Sequence, residues 1–467
     1  MAHSRREFLS AGFSVCSAFG VSAALTSLSG RLACGGSPKV GNSLVPTIDE
    51  TTGLPLLRLP EGFRYLSFGW TRDLMKGGVA TPAAHDGMGV VAVDGDVLTL
   101  VRNHEVGSDG PALSRLGEAA AFDSQAQGGC TTLVFDSKQG KLLDSWVSFA
   151  GTSRNCAGGI TPWGTWLTCE ETVLGPGDID RYKKDVVRGF KQEHGWIFEV
   201  HPDGSSQPIP LKSMGRFVHE AVCIDHNTGI VYETEDRTTS AFYRFVPQKN
   251  GQLAAGGTLE VAEVVGQPDL RGGVAAGAEF DVRWHQISDP EKAHSSNKGL
   301  PDELGVYKQA AKLGATTFAR LEGCWFGNEY VYFDATSGGQ AKAGQIWKYD
   351  PVTEKLTLLF ESPAKQVLNM PDNLCVSPQG GLVLCEDNNY GVTEFPQRMF
   401  ALSQEGNLKL LAENNVELRG EKNGFKGDFR NKEWAGASFS PDGVWMFANI
   451  QTPGITFAIT GPWDSVM

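Results

Sequence analysis

The chain has 467 residues, a formal net charge of −13, 41% hydrophobic and 20% charged side chains, and 57 glycines. That length admits one large domain or two or three ordinary ones, and the acidic balance argues against a nucleic-acid partner, which needs clustered Lys and Arg. An anionic substrate stays open to such a chain only where bound cations reverse the local field.

The N-terminus reads as an address. Ser4-Arg5-Arg6-Glu7-Phe8-Leu9 matches the twin-arginine export pattern, and a weakly apolar stretch follows from Ala11 to Leu28. That stretch is too polar and too interrupted for a transmembrane anchor, so residues 1–34 read as a removed signal, with no stable membrane insertion. Cys34 hints at lipidation, but Arg31 spoils the motif. Residues 35–60 read as an N-terminal segment and 61–467 as one large domain. The expected location is periplasmic or secreted, the transport partner is the twin-arginine machinery, and the expected state is a monomer. Of nine cysteines, seven lie beyond the leader. Their odd number, the lack of a CxxC motif and their apolar strand contexts favour buried small hydrophobes over disulfides. Cys156 stands apart, at a strand entrance.

Beyond the leader one unit recurs: a short apolar strand, a tight turn, and a second strand running into acidic residues. The first copy is loose, from His85-Asp86-Gly87-Met88 to Asn103-His104-Glu105. The second runs from Asn155-Cys156 through a Thr161-Pro162-Trp163-Gly164 turn to Cys169-Glu170-Glu171. The third joins His219-Glu220 to Glu233-Thr234-Glu235-Asp236, and the fourth joins Leu321-Glu322 to Phe333-Asp334. The fifth joins Pro371-Asp372-Asn373 to Cys385-Glu386-Asp387, and the sixth joins Trp434-Ala435-Gly436 to Ala448-Asn449. Turn chemistry suits a hairpin in each case. Repeated strand pairs of this kind predict an all-β fold, a six-bladed β-propeller. Residues 251–314, glycine-rich and charged, are expected to form a surface insertion between the third and fourth repeats, part helical and part loop. A pair of β-sandwiches, the competing fold, leaves six similar hairpins unexplained.

Aligning the copies gives entrance positions Asp86, Cys156, Glu220, Glu322, Asp372 and Gly436, and exit positions Glu105, Glu170, Glu235, Asp334, Glu386 and Asn449. In a propeller, hairpin ends of one sense gather at one mouth of the channel, so these groups would meet. Carboxylates packed so closely repel, by roughly 4 kcal/mol per pair at about 4 Å and an effective dielectric near 20. Cations resolve that repulsion. Oxygen-rich ligation suits Ca²⁺, and one thiolate among carboxylates suits iron. One acidic residue at a hairpin end is commonly a cap, and Asp86 and Asp334 can be read so; the joint pattern favours metal ligation. Strand register leaves Glu171, Asp236 and Asp387 as alternatives to their immediate neighbours. His104 and His219 precede candidate carboxylates, so strand alternation turns them away from the channel. Arg320 lies two residues before Glu322, on the same side of an extended strand, where a guanidinium fork suits a phosphate or carboxylate.

Together the leader, HDGM at 85–88, NHE at 103–105, NCAGGITPWGTWLTCEE at 155–171, HEA with TED, ARLEG, MPDN with CEDN, and FSPDG with NIQTPGITFAITGPW resemble the PhoX family of alkaline phosphatases. The resemblance runs from Gly62 to Trp463. It implies a six-bladed propeller holding two ferric and three calcium ions with a bridging oxo group, Fe³⁺ and Ca²⁺ being the cofactors. It also implies an enzyme acting on small phosphate monoesters, and in some members diesters or triesters, outside the cytoplasm. By motif, Cys156 is the implied iron thiolate, and Arg320 and Glu322 are the implied phosphate contacts. Glu105, Glu170, Glu220, Glu235, Asp372 and Glu386 are then expected to share the metals. Two other classes compete: a calcium-dependent lactonase-like hydrolase, and a non-catalytic exported propeller. Cys156 discriminates against the first, because calcium alone has no use for a thiolate.

Overall fold

A computed structural model of the chain describes residues 43–107, 121–180, 185–186, 189–387 and 396–467. The leader at 1–34 lies outside the described residues. The chain is all-β, with one short α-helix, Tyr307–Lys312, among the described residues.

Strands form because apolar and β-branched residues alternate between turn signals, and each strand finds its sequence neighbour across a tight turn. The meander His85–Asp94, Val97–His104, Gly128–Asp136 and Lys141–Thr152 makes one four-stranded antiparallel sheet. Asn155–Ile160, Trp166–Glu170 and Ile197–Val200 make the next. A nine-stranded sheet runs from His219–Ile224 at one edge to Leu321–Gly327 at the other. Pro371–Val376 begins a six-stranded sheet, which the N-terminal strands Leu57–Pro60 and Leu44–Thr47 extend. Trp434–Phe439 begins the last sheet, whose outer strand is Arg64–Phe68, paired with Ile455–Thr460 near the C-terminus. That pairing ties the two ends of the domain together.

The first strand of each hairpin packs on the first strand of the next, and the sixth packs on the first. The result is a β-propeller arrangement with these strands around its axis. Glycine lets them close in: a Cβ on Gly87 would lie 2.6 Å from the Ala157 Cα, and one on Gly159 would lie 2.1 Å from the Val222 carbonyl oxygen. No side chain fits between strands at that separation.

Residues 251–314 are more regular than expected. They contain Gly257–Val264 and Glu279–Gln286, and the latter bridges to Lys355–Glu361 of the following sheet. The alternation of Leu259, Val261 and of Phe280, Val282, Trp284 is a strand period, which the charged residues around it obscured. The seven cysteines Cys130, Cys156, Cys169, Cys223, Cys324, Cys375 and Cys385 are all buried and unbridged.

Candidate active site

Two repeated backbone devices build the site. In all six hairpins the ladder slips near its start, within His85–Met88, Asn155–Gly158, His219–Val222, Leu321–Cys324, Pro371–Asn373 and Ala435–Ser438. A bulge adds a residue on one strand and re-aims its side chain. The side chains so placed include Asp86, Cys156, Glu220, Glu322 and Asp372, and all five line one cavity of about 350 Å³. Gly436 brings no side chain to it.

The second device fixes the exits. The residue just after each second strand donates its N–H to the carbonyl just before the first strand: Glu105 to Ala84, Glu171 to Arg154, Asp236 to Val218, Thr336 to Arg320, Asp387 to Met370 and Gln451 to Glu433. These six bonds measure 2.8 to 3.2 Å. Glu105, Glu171, Asp236, Asp387 and Gln451 thereby reach the cavity.

This register corrects the placement of three expected residues. Glu170, Glu235 and Glu386 sit one residue earlier, opposite Asn155, His219 and Pro371 in the ladders, so their side chains point behind the cavity wall. Their oxygens serve the protein's own donors. Glu170 accepts from Ser153 N, His194 Nδ1, Gly195 N and Trp196 N. Glu235 accepts from Ala241 N and the Tyr243 hydroxyl. Glu386 is locked to Arg398, with Nε 2.9 Å away, and accepts from Asn369 N. Asp334 accepts from Gly323 N, and Asn449 donates to the Asp86 carbonyl, so neither faces the cavity. His104 and His219 are buried on backbone carbonyls of Ala83 and Gly215.

The His194 contacts carry a pH-dependent share of the stability. Burial acts to depress this imidazole, but the Glu170 and Asp123 carboxylates outweigh it and raise its pKa to about 9. A raised folded value means the stabilisation is complete below the unfolded pKa near ~6.5 and is lost as pH rises through about 9. The difference is worth about 3 kcal/mol. We expect His194→Gln to lower the urea midpoint at pH 6, and the gap to wild type to narrow steadily between pH 7 and 9.5. A gap independent of pH would show that the imidazole is neutral.

Nine carboxylates line the cavity: Asp86, Glu105, Glu171, Glu220, Asp236, Glu322, Asp372, Asp387 and Glu433. With them are Cys156, Gln451 and the guanidinium groups of Arg154 and Arg320. Oxygens of Asp86, Glu105 and Glu433 lie within 4.8 Å of one another, an acidic group able to hold a metal ion. Burial and then mutual repulsion push Asp86, Glu171, Glu220 and Glu433 well above the usual carboxylate range. Asp372 rises to about 6. Burial, followed by Glu220, Glu171 and Asp86, also pushes the Cys156 thiol well up. Positive charge brought into the cavity would relieve this repulsion. Arg320 donates from Nε to Asp236 Oδ1 at 2.8 Å and pairs with Glu322 through NH2.

Glu433, Arg154 and Gln451 were not singled out from the sequence. Glu433 and Arg154 precede their strands, so strand periodicity does not reach them. The signal was present nonetheless: Arg320, which was singled out, stands at the same point of its own hairpin.

The family model for alkaline phosphatase PhoX matches residues 42–454. No curated protein sequence matches the chain. Among solved structures it is similar to Pseudomonas fluorescens PhoX in complex with vanadate, a transition state analogue, at a TM-score of 0.64 and 19% identity, covering 90% of this chain and 98% of that one. A gluconolactonase from Xanthomonas campestris aligns at a TM-score of 0.40 and 12% identity, covering 90% and 98% respectively. The likeness to the first structure supports the β-propeller arrangement of the described residues, and the family match over most of the chain's length identifies it: the chain belongs to the PhoX family of alkaline phosphatases and is a phosphoric ester hydrolase.

Proposed function

We propose that this enzyme is a metal-dependent alkaline phosphatase that hydrolyses small phosphate monoesters, and secondarily diesters, at an iron and calcium cluster in the axial cavity. The six hairpins are the inner halves of six blades; within residues 251–314, Gly257–Val264 belongs to the sheet of the third hairpin, and the stretch after it is an insertion before the fourth. The protein is exported through the twin-arginine route after removal of residues 1–34, and it works as a monomer in the periplasm or outside the cell.

One observation carries this reading: nine carboxylates and a thiol converge on one cavity with two guanidinium groups. Buried anions in such numbers need cations. Hard oxygen donors fit Ca²⁺, and Cys156 beside them fits Fe³⁺. From the residues expected as ligands, Glu105, Cys156, Glu220 and Asp372 line the cavity, and Glu171, Asp236 and Asp387 take the places of Glu170, Glu235 and Glu386; Asp86 and Glu433 complete the set. When bound, such ions polarise phosphoryl oxygens and offset charge on the leaving group.

The chain's own residues supply binding and orientation. Arg320 presents its planar fork to the phosphoryl oxygens, and Asp236 and Glu322 hold that fork from two sides, which reduces what must be ordered on binding. The Pseudomonas relative's complex with vanadate, a transition state analogue, supports a phosphoryl group as the occupant. Elemental analysis of purified protein together with p-nitrophenyl phosphate turnover tests the reading. We expect iron and calcium both to be present, turnover to be highest at alkaline pH, and chelation to abolish it. Full turnover after exhaustive removal of both metals would refute the cluster.

A further inference from the structure

Two of the groups lining the cavity are cationic, Arg154 and Arg320, and they occupy the same place in two repeats. Each immediately precedes the first strand of its hairpin, and each has left-handed backbone, with φ of 52° and 53°. Each also gives its carbonyl to the exit residue of its own hairpin, Glu171 or Thr336. Ala84 and Met370 share the left-handed backbone at the corresponding points of two other repeats. The backbone shape is thus shared by four of the six repeats, and two of those four carry a guanidinium.

Arg154 also lies between two carboxylates, at longer range than Arg320 does. Its NH1 lies 3.9 Å from Glu105 Oε1 and its NH2 lies 3.5 Å from Asp180 Oδ2, with the side chain 16% exposed. Arg320 is 15% exposed between Asp236 and Glu322. Both guanidinium groups line the same cavity, each beside two carboxylates, and a guanidinium is a donor suited to a tetrahedral anion.

We propose that Arg154 is a second anion-binding residue of the site, and that with Arg320 it selects dianionic phosphomonoesters over monoanionic diesters. This inference rests on the phosphatase reading above. At alkaline pH a monoester offers one more unesterified, charged oxygen than a diester does. A second guanidinium gains a charge-assisted contact with that oxygen, which the diester has replaced by an ester linkage. Arg154 thus discriminates by the charge of the phosphoryl group and is indifferent to the alcohol.

The test compares metal-replete wild type, Arg154→Met and Arg154→Lys on p-nitrophenyl phosphate and bis(p-nitrophenyl) phosphate, with orthophosphate as competitive inhibitor and with metal content measured. Arg154→Met is expected to lower kcat/KM for the monoester about tenfold more than for the diester, and to raise the orthophosphate inhibition constant by about the same factor. Arg154→Lys should recover part of both, and metal content should not change. Equal losses on both esters, losses that follow lost metal, or an unaltered orthophosphate constant would each overturn the proposal. Should the diester not be turned over, the orthophosphate constant decides alone. Wild type inactive on both esters would instead overturn the phosphatase reading, and this inference with it.

Discussion

Cys156→Ala is expected to cost about a hundredfold or more in phosphatase turnover and to release iron while leaving the protein folded. The sulfur lies on the bulge of the second hairpin, at the cavity wall, with Glu220 and Asp86 on the bulges of the neighbouring hairpins and Glu171 at its own hairpin's exit. Burial and those carboxylates hold the thiol protonated, so a thiolate exists there only when a cation stands beside it. Cys156 would have to give up its proton to hold iron as a thiolate, and an alanine would offer no such donor. Cys375→Ala is the matched control. That residue is equally buried, but it packs in an apolar cluster with Val383 and Met399, where a free thiol acts as a small hydrophobe. Its loss should lower stability modestly and leave iron and turnover intact. Parallel activity and elemental measurements on both variants decide the matter. Full iron content in Cys156→Ala would remove the thiolate from the cluster.

Arg320→Met is expected to reduce kcat/KM by roughly 10² to 10³ on monoesters and diesters alike. Two carboxylates fix this guanidinium from Asp236 and Glu322, so its removal loses both the donor fork and the charge balance of that wall. Arg320→Lys should restore only a small part, since an ammonium cannot reproduce the planar pair of donors. Steady-state kinetics with both ester classes distinguishes this residue from Arg154, whose loss falls on the monoester. If kcat/KM in Arg320→Met stays within twofold of wild type, the residue does not bind the phosphoryl group.

Much of the site was legible from the sequence because hairpins carry their own punctuation. The entrance residues Asp86, Cys156, Glu220, Glu322 and Asp372 could be aligned from the apolar strands and turn residues behind them, and the cavity contains all five. The exits were harder. Each of three second strands ends in an acidic doublet, Glu170-Glu171, Glu235-Asp236 or Glu386-Asp387, and composition cannot say which member faces the channel. A shift of one residue along a strand turns the side chain to the opposite face.

The local order of residues therefore determined the strands, their turns, the bulged entrance groups and the family to which the chain belongs. Tertiary structure decided the rest. The repeated hydrogen bond from each exit N–H to the carbonyl before the first strand sets the exit register, and it forms only once both strand ends lie side by side. Closure of the inner strands into a ring brings Arg154, Glu433 and Gln451 to the same cavity as groups far away in sequence. A residue lying just outside a strand has no periodicity to betray its direction, so its place at the site is a consequence of the fold.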